Sequence, residues 1–203
     1  MIGFPGAVIQ PSPNYSEGRR DALDQVVLHT TEGDLASSLN TLTDPARQIV
    51  DENGQIQNAR VSAHYVVTGN TIYQLVSDDN EAWHAIGHNA HTIGVEVVGE
   101  AHDPRTWSDA VVTQLSRLVA WLSLEYGIPL EYRAKGEPDI ARGFVAHGAL
   151  DPDRRHDPGI WFPWTQVKSA ALRIQSGAAP MSADGAGVVA LLIIAIGLAW
   201  ALR

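Results

Sequence analysis

The sequence contains no cysteine among its 203 residues. This absence excludes disulfide bonds, thiolate zinc ligands and a cysteine nucleophile, and it leaves the redox compartment open. Basic residues are also scarce, because 14 lysines and arginines are set against 23 aspartates and glutamates, for a net charge of −9. Nucleic-acid binding requires clustered basic residues, so no nucleic-acid partner is expected.

Long apolar runs are missing from most of the chain, including the N-terminus, which also lacks a basic start and therefore predicts no secretory signal peptide. The exception is residues 185–202, which contain no charged side chain. As a helix this run would be about 27 Å long, close to the thickness of a membrane core. We therefore expect a C-terminal transmembrane-type helix over 185–203, a membrane partner, and localisation in a host cytoplasm or at its inner membrane. A buried core helix is the alternative.

The remaining pattern predicts an α/β fold with a mixed central β-sheet flanked by helices. A predicted hairpin in HYVVTGNTIYQLV argues against a wholly parallel sheet. We expect one domain over 1–176 and a small polar linker over 177–184, with residues 51–60 as an irregular polar loop. The predicted strands lie at 24–30, 64–76, 92–98 and 143–147, and the predicted helices at 35–42, 108–126 and 162–176.

Two predicted strands end in histidine, VVLH at His29 and FVAH at His147. Asp157 follows ten residues after the second histidine, in a loop rich in proline and glycine. Two imidazoles and a carboxylate form a catalytic zinc shell that leaves the fourth position to water. Spacing alone is also compatible with hydrogen-bonded structural histidines, so both interpretations stay open at this point.

A rival histidine cluster lies in HAIGHNAH, which contains His84, His88 and His91. The first two are four residues apart, the spacing of a ligand pair on a helix. Gly87 and Asn89 favour a loop instead, and no carboxylate has a matching spacing.

Seven segments of the chain resemble one family of enzymes. They are DQVVLHTTEG, SAHYVV, TIYQLV, EAWHAIGHN, TIGVEVVG, VAHG and RRHDPGIWFPW. In this order they resemble the zinc-dependent N-acetylmuramoyl-L-alanine amidases of the type-2 class, which includes phage amidase-type lysozymes and peptidoglycan recognition proteins. The resemblance covers about residues 6–176. It implies a mixed sheet flanked by helices, with a zinc groove at one sheet edge.

The resemblance also implies the roles of individual residues. His29, His147 and Asp157 correspond to the ligands of one Zn²⁺ ion, although His156, next to Asp157, is an alternative ligand. Glu96 in GVEVV corresponds to the catalytic carboxylate. Its alternation with the neighbouring valines also fits an ordinary surface residue of a strand.

Two positions depart from patterns found in the family. Some members use a catalytic tyrosine where this chain has Ala63. Other members, with a small residue at that position, commonly carry the glutamate instead, as this chain does. A lysine often precedes the third ligand by two residues, where this chain has Arg155. An arginine can hydrogen-bond an oxyanion but does not give up its proton at neutral pH.

Four further residues are predicted to bind substrate: Thr30, Trp83, His84 and Asn89. His84 is expected to line the groove near the substrate carbonyl or oxyanion, and Trp83 and Asn89 to contact glycan or peptide. The alternative for His84 is an ordinary loop histidine, and the alternative for Trp83 is a core tryptophan.

The expected function is hydrolysis of the amide bond between N-acetylmuramic acid and L-alanine in peptidoglycan, by a phage or prophage endolysin. Two alternatives remain: a non-catalytic peptidoglycan-binding module of the same fold, and a membrane-anchored structural protein.

Overall fold

The computed structural model describes residues 1–177. This part of the chain contains four helices and eleven strands, with short 3₁₀ turns at Asn89–His91 and Pro104–Trp107. The strands are β1 Val8–Ile9, β2 Tyr15–Ser16, β3 Gln25–Thr30, β4 Gln48–Val50, β5 Ile56–Asn58, β6 Tyr65–Val67, β7 Ile72–Gln74, β8 Glu81–Ala82, β9 Thr92–Val97, β10 Tyr132–Arg133 and β11 Gly143–Ala146. The helices are α1 Leu35–Thr43, α2 Asp109–Tyr126, α3 His147–Leu150 and α4 Trp164–Gln175.

Seven of the strands form the central sheet, in the order β1-β7-β6-β9-β3-β11-β10. The β6–β7 hairpin pairs antiparallel, and the other neighbours in this sheet pair parallel. The prediction of a mixed sheet is therefore confirmed. Two-stranded antiparallel ladders join β2 to β8 and β4 to β5.

One face of the central sheet is covered by α2 and α4. Helix α2 begins at the N-cap Ser108, whose side chain accepts a hydrogen bond from the Val111 amide, and ends at Gly127 in the left-handed conformation. Its apolar stripe, including the fully buried Leu115 and Leu118, packs on the sheet. Truncating such a leucine to alanine typically costs about 2–5 kcal/mol.

The strand register decides which side chains point away from this core. In β3, Val26 and Leu28 lie in the core beneath α2 and α4. Because side chains alternate along a strand, His29 points to the opposite face. His29 pairs with Glu96 of β9 in the parallel register, so both side chains leave the sheet on the same face.

The expected C-terminal transmembrane helix is corrected. Among residues 1–177 no helix has both the length and the apolar composition needed to cross a membrane. The segment 185–203, on which the prediction was placed, lies outside the described residues. Over residues 1–177 the fold is therefore a mixed central β-sheet flanked by helices.

Two local expectations were also wrong. The region 51–60, predicted to be irregular, contributes to the β4–β5 hairpin, which pairs Val50 with Ile56. His147 begins α3 directly after β11 instead of ending the strand. The reason is that β11 stops pairing with β3 at Ala146.

Candidate active site

The candidate site lies at the carboxyl ends of three adjacent parallel strands. Glu96 is near the end of β9, His29 is near the end of β3, and His147 follows the last residue of β11. Since the strand order is β9-β3-β11, these residues form a row across the sheet. The carboxyl ends of parallel strands are the usual place for ligand sites in α/β sheets.

The loop after α3 completes this row with Asp157. The Asp157 backbone oxygen accepts a hydrogen bond from the Gly148 amide at 2.8 Å, which holds the loop against the start of α3. A Cβ atom on Gly148 would lie 3.0 Å from the Arg155 oxygen and from the His156 Cα, so glycine permits this close approach. The carboxylate is thereby folded back towards the two histidines.

Three side-chain atoms converge in this arrangement. His29 Nδ1 lies 3.0 Å from His147 Nδ1 and 3.2 Å from Asp157 Oδ2. His147 Nδ1 lies 3.1 Å from the same Asp157 oxygen. The three residues are buried, and they form the metal-compatible group of histidines and acids found among the described residues.

The chemistry of this triangle fits a zinc ion. A proton can bridge two of the three atoms but not all three, whereas a cation can be shared by all of them. Zinc bonds of about 2.0 Å in tetrahedral geometry place neighbouring ligand atoms about 3.3 Å apart, close to the observed edges. Two imidazole nitrogens and one carboxylate oxygen are also common catalytic zinc ligands.

The local electrostatics favour a charged Asp157 carboxylate and a neutral His29 imidazole. Burial alone would raise the pKa of Asp157, but its hydrogen bonds with His147 and His29 outweigh burial and hold this pKa far below its usual range. Burial lowers the pKa of His29. A deprotonated carboxylate and neutral imidazoles are the protonation states that metal binding requires.

Glu96 lies beside this cluster. Burial raises the pKa of its carboxyl group well above the ordinary value, and the nearby Asp157 charge adds to this effect. Its Oε2 atom is buried and has no hydrogen-bond partner among the described residues. A carboxyl group with a raised pKa, at the side of a metal-compatible cluster, is suited to proton transfer.

Arg155 lines the same groove, in the loop that carries Asp157. Its backbone oxygen accepts a hydrogen bond from Lys135 Nζ at 2.8 Å, and Pro152 O accepts another from the same ammonium at 2.6 Å. Lys135 therefore fastens the loop from outside. The neighbouring His156 is exposed and does not belong to the metal-compatible group.

The rival cluster of histidines is dispersed in the structure. His84 turns towards His29, with His84 Nδ1 at 3.1 Å from His29 Nε2. His91 Nδ1 instead lies 2.7 Å from Asp24 Oδ1 at the other end of β3. His88 contacts the His91 ring at a centroid distance of 5.6 Å. These histidines therefore do not form a second metal-compatible group among the described residues.

The four predicted substrate-binding residues all line one open groove, which has a volume of ≈ 850 Å³. Asn89 Oδ1 accepts hydrogen bonds from the backbone amides of His84 and Ala85, at 3.1 and 2.8 Å. Trp83 donates its indole N–H to Ser16 Oγ at 3.0 Å, and Thr30 donates its hydroxyl to Glu32 Oε1 at 2.6 Å. Contact of these residues with substrate stays a prediction.

His84 has a second partner besides His29. Its Nε2 atom lies 3.1 Å from Thr92 Oγ1, so both ring nitrogens face protein atoms. Burial lowers the pKa of this imidazole well below the ordinary value. The geometry places His84 behind His29, and its contact with a substrate oxyanion stays a prediction.

Sequence reasoning missed three residues of the groove. Arg47 and Arg60 flank the β4–β5 hairpin and line the groove. No sequence signal pointed to them, because the hairpin itself was not predicted. Glu32, also in the groove, adopts a positive φ of 54° and accepts a hydrogen bond from the Ala101 amide at 3.0 Å. The acidic turn TTEG was a signal for Glu32 that received no interpretation.

A pair of histidines and an aspartate beside a glutamate, in a groove of an α/β sheet, is an arrangement typical of metal-assisted hydrolases. The family described as N-acetylmuramoyl-L-alanine amidase (Amidase_2) matches residues 19–160. The chain therefore belongs to this family, as its motifs predicted. It is an enzyme, a peptidoglycan amidase of the N-acetylmuramoyl-L-alanine class.

Similar proteins of known name agree with this assignment. The N-acetylmuramoyl-L-alanine amidase A of Achromobacter lyticus is 33% identical over 177 residues, covering 81% of this chain and 92% of the relative. A crystal structure of an AmpD derivative matches with a TM-score of 0.64 and 26% identity, covering 82% of this chain and 95% of the other. A structure of Escherichia coli AmiD with the substrate anhydro-N-acetylmuramic acid-L-Ala-D-γ-Glu-L-Lys matches with a TM-score of 0.54 and 27% identity, covering 73% and 57%.

Proposed function

We propose that the protein is a zinc-dependent amidase that hydrolyses the bond between N-acetylmuramic acid and L-alanine in muropeptides. The observation that carries the proposal is the convergence of His29, His147 and Asp157 within 3.2 Å of one another, beside the buried Glu96 carboxyl group. A non-catalytic binding module of the same fold needs neither a complete donor set nor an adjacent acid. The enzyme is therefore favoured over the binding module.

Amide hydrolysis requires an activated water, a proton carrier and stabilisation of the oxyanion. His29, His147 and Asp157 would hold the zinc ion, which would supply the Lewis acidity needed to acidify a water molecule and polarise a carbonyl. Glu96 accepts the proton from the attacking water and delivers it to the leaving amine nitrogen. Its raised pKa suits the second step, because the protonated carboxyl group must be populated when the amine departs.

Arg155 has a role that differs from proton transfer. Its guanidinium stays charged at neutral pH and lines the groove beside the donor set. In this position it stabilises negative charge on the carbonyl oxygen as the tetrahedral species forms. The arginine thus supplies the charge of the lysine found in many relatives, without supplying a proton.

The groove fits a peptide that carries carboxylates. Although the chain is acidic overall, Arg47, Arg60, Arg154 and Arg155 all line this groove. The D-γ-glutamyl residue of the muropeptide bound to AmiD retains a free carboxylate. We propose that muropeptides of this kind are the substrate class, with the arginines attracting their acidic stem.

The finer expectation of a phage or prophage endolysin is not supported by the relatives. Those that match with higher identity are amidases of the bacteria Achromobacter lyticus and Escherichia coli. The proposal therefore stops at the reaction and the substrate class.

The test is mass spectrometry of the products formed from a purified muropeptide. The zinc-loaded protein is expected to release a peptide with a free N-terminal L-alanine, and a chelator is expected to stop this release until zinc is restored. Turnover that persists in excess chelator, with no protein-bound metal, would contradict zinc dependence. Binding without any cleavage by the zinc-loaded protein would favour the binding module.

A further inference from the structure

His29 is linked to a chain of polar groups on the side away from Asp157. Its Nε2 atom lies 3.1 Å from His84 Nδ1, and the two rings meet edge to face at a centroid distance of 5.2 Å. His84 Nε2 lies 3.1 Å from Thr92 Oγ1. The Thr92 hydroxyl in turn donates a hydrogen bond to the His88 carbonyl oxygen at 2.8 Å. Two residues, Thr92 and His84, thus connect the His88 carbonyl to the candidate metal ligand His29.

The His88 carbonyl, at the end of this series of hydrogen bonds, determines the direction of every hydrogen bond in the series. A carbonyl oxygen only accepts, so the proton of the Thr92 hydroxyl points at His88 O. The Thr92 oxygen then accepts from His84 Nε2–H, and the neutral His84 ring has its lone pair on Nδ1. His29 must therefore donate from Nε2–H, which leaves the lone pair of His29 on Nδ1, the atom that faces His147 and Asp157.

The packing around His84 holds its ring in the position that this series of hydrogen bonds requires. A Cβ atom on Gly94 would lie only 2.4 Å from His84 Cγ, so the ring rests directly on the backbone of β9. Asn89 Oδ1 holds the backbone amide of His84 at 3.1 Å. Thr92 is fully buried, so water has no access to replace its hydroxyl.

We propose that Thr92 is a positioning residue that acts through His84 to keep His29 in the Nε2–H tautomer, with Nδ1 free to bind metal. The proposal rests on the proposed zinc function. It assigns Thr92, which carries no ligand atom itself, a role in metal affinity. Outer partners of metal-bound histidines generally fix the tautomer and the ring orientation, and their loss costs about 10–100-fold in affinity or activity.

Thr92→Val keeps the shape of the side chain but removes the acceptor for His84 Nε2–H. A buried N–H without an acceptor is costly, so His84 is expected to move its proton to Nδ1. That N–H then points at His29 Nε2 and drives the His29 proton to Nδ1, into the metal-compatible triangle. Thr92→Ser retains the hydroxyl and is the conservative rescue.

The experiment measures the zinc affinity of the full chain by chelator competition, and the histidine tautomers of the metal-free and the zinc-loaded protein by long-range ¹H–¹⁵N NMR. Thr92→Val is expected to lose about 10–100-fold in zinc affinity, and Thr92→Ser to recover most of that loss. Thr113→Val is the matched control, because the exposed Thr113 hydroxyl donates to the Asp109 carbonyl at 2.7 Å without contacting a histidine.

The tautomer of His84 in the unsubstituted protein decides the proposal even if Thr92→Val does not fold. Protonation of His84 at Nδ1 would overturn the proposal, as would equal zinc affinities of the folded Thr92→Val and Thr92→Ser variants. Failure of the unsubstituted protein to bind zinc is a different result, which would contradict the proposed function while the tautomer measurement still decides the order of protons.

Discussion

Among the described residues, two aspartates are buried, Asp78 and Asp157, and their electrostatic states are opposite. Asp78 Oδ2 accepts the hydroxyl groups of Tyr65 and Tyr126, at 2.7 and 2.8 Å. Burial raises the pKa of Asp78 to about 7, although these hydroxyls act in the opposite direction. At Asp157, burial also acts to raise the pKa, but the hydrogen bonds with His147 and His29 prevail and lower it.

The difference shows that the partners of a buried acid, more than its burial, determine what it can do. Burial favours the neutral form of Asp78, and its Oδ2 atom already accepts two phenolic hydroxyls. At Asp157 three possible ligand atoms converge, and a cation can be shared by all of them, whereas a proton bridges only two. Only Asp157 lines the groove. One cluster is thus built for stability and the other for chemistry.

The substitution Asp157→Asn is expected to have the largest effect on zinc content and turnover. An amide keeps the size of the side chain but loses the negative charge, and two histidines alone hold zinc poorly. We expect most of the bound zinc and nearly all turnover to be lost, more than the about 10–100-fold cost of losing an outer partner. Metal content by elemental analysis and muropeptide turnover are the measurements.

Two controls accompany this substitution. Asp153→Asn changes an exposed aspartate of the same loop and is expected to leave both quantities near those of the unsubstituted protein. His156→Ala tests the neighbouring histidine. Full zinc content in Asp157→Asn together with zinc loss in His156→Ala would show that the third ligand has been assigned to the wrong residue.

Glu96→Gln separates the reaction from the metal site. The substitution keeps the size and polarity of the side chain but removes the group that exchanges a proton. We expect zinc content to be retained and turnover to fall on the order of 10²–10⁴-fold, the usual contribution of a positioned acid or base. Glu100→Gln, at an exposed position just beyond β9, is the matched control. Near-normal turnover of Glu96→Gln would show that Glu96 does not take part in proton transfer.

Lys135→Met tests how firmly the loop that carries Asp157 must be held. The ammonium donates to the backbone oxygens of Pro152 and Arg155 from an exposed position, so its loss should be modest. We expect zinc affinity to fall by a few-fold, in line with about 1 kcal/mol for a solvent-exposed hydrogen-bonded contact. The control is Lys168→Met on α4. Equal chelator-competition curves for the two variants would contradict a role of the Lys135 hydrogen bonds in zinc affinity.

Asp78→Asn is expected to leave zinc content and turnover unchanged and to alter only the pH dependence of stability. The pKa of Asp78 is raised from 3.8 to about 7. Between these values the folded state holds a proton that the unfolded state has released, so stability falls as pH rises. An asparagine cannot titrate, so its variant lacks this loss.

Denaturant unfolding of both proteins at about pH 4.5 and pH 7.5 measures this effect. The stability difference should shift in favour of Asp78→Asn at the higher pH, by about 1.4 kcal/mol for each pH unit over which the proton is retained. Parallel pH profiles would contradict the raised pKa. A loss of zinc in Asp78→Asn would remove the distinction between the two clusters.

The elements with strong local signals were predictable from the sequence. Helix α2 has an apolar stripe between a serine cap and a glycine stop, and the structure confirms both ends. The β6–β7 hairpin was likewise recognised from two β-rich runs around Gly69 and Asn70. The β4–β5 hairpin was missed because its strands are exposed on both faces, and such strands carry no alternation of apolar and polar residues.

The candidate site was predictable only where its residues belong to elements with strong local signals. His29 lies near the end of a recognisable buried strand and His147 directly follows another, so the sequence predicts their proximity at one sheet edge. The sequence does not predict which histidine of HAIGHNAH approaches His29. Loop geometry alone turns His84 towards His29 and His91 towards Asp24. Thr92 carried no signal, since its hydroxyl matters only through that loop.

The sequence by itself determined the available donor atoms, the ends of the main strands and the family to which the chain belongs. Only the tertiary structure brought His29 within 3.0 Å of His147 and 3.2 Å of Asp157, across 118 and 128 residues of chain. The physical reason is the strand register. Packing of alternate residues of β3 and β9 beneath α2 and α4 sends His29 and Glu96 together to the opposite face, and no local preference of the chain specifies that pairing.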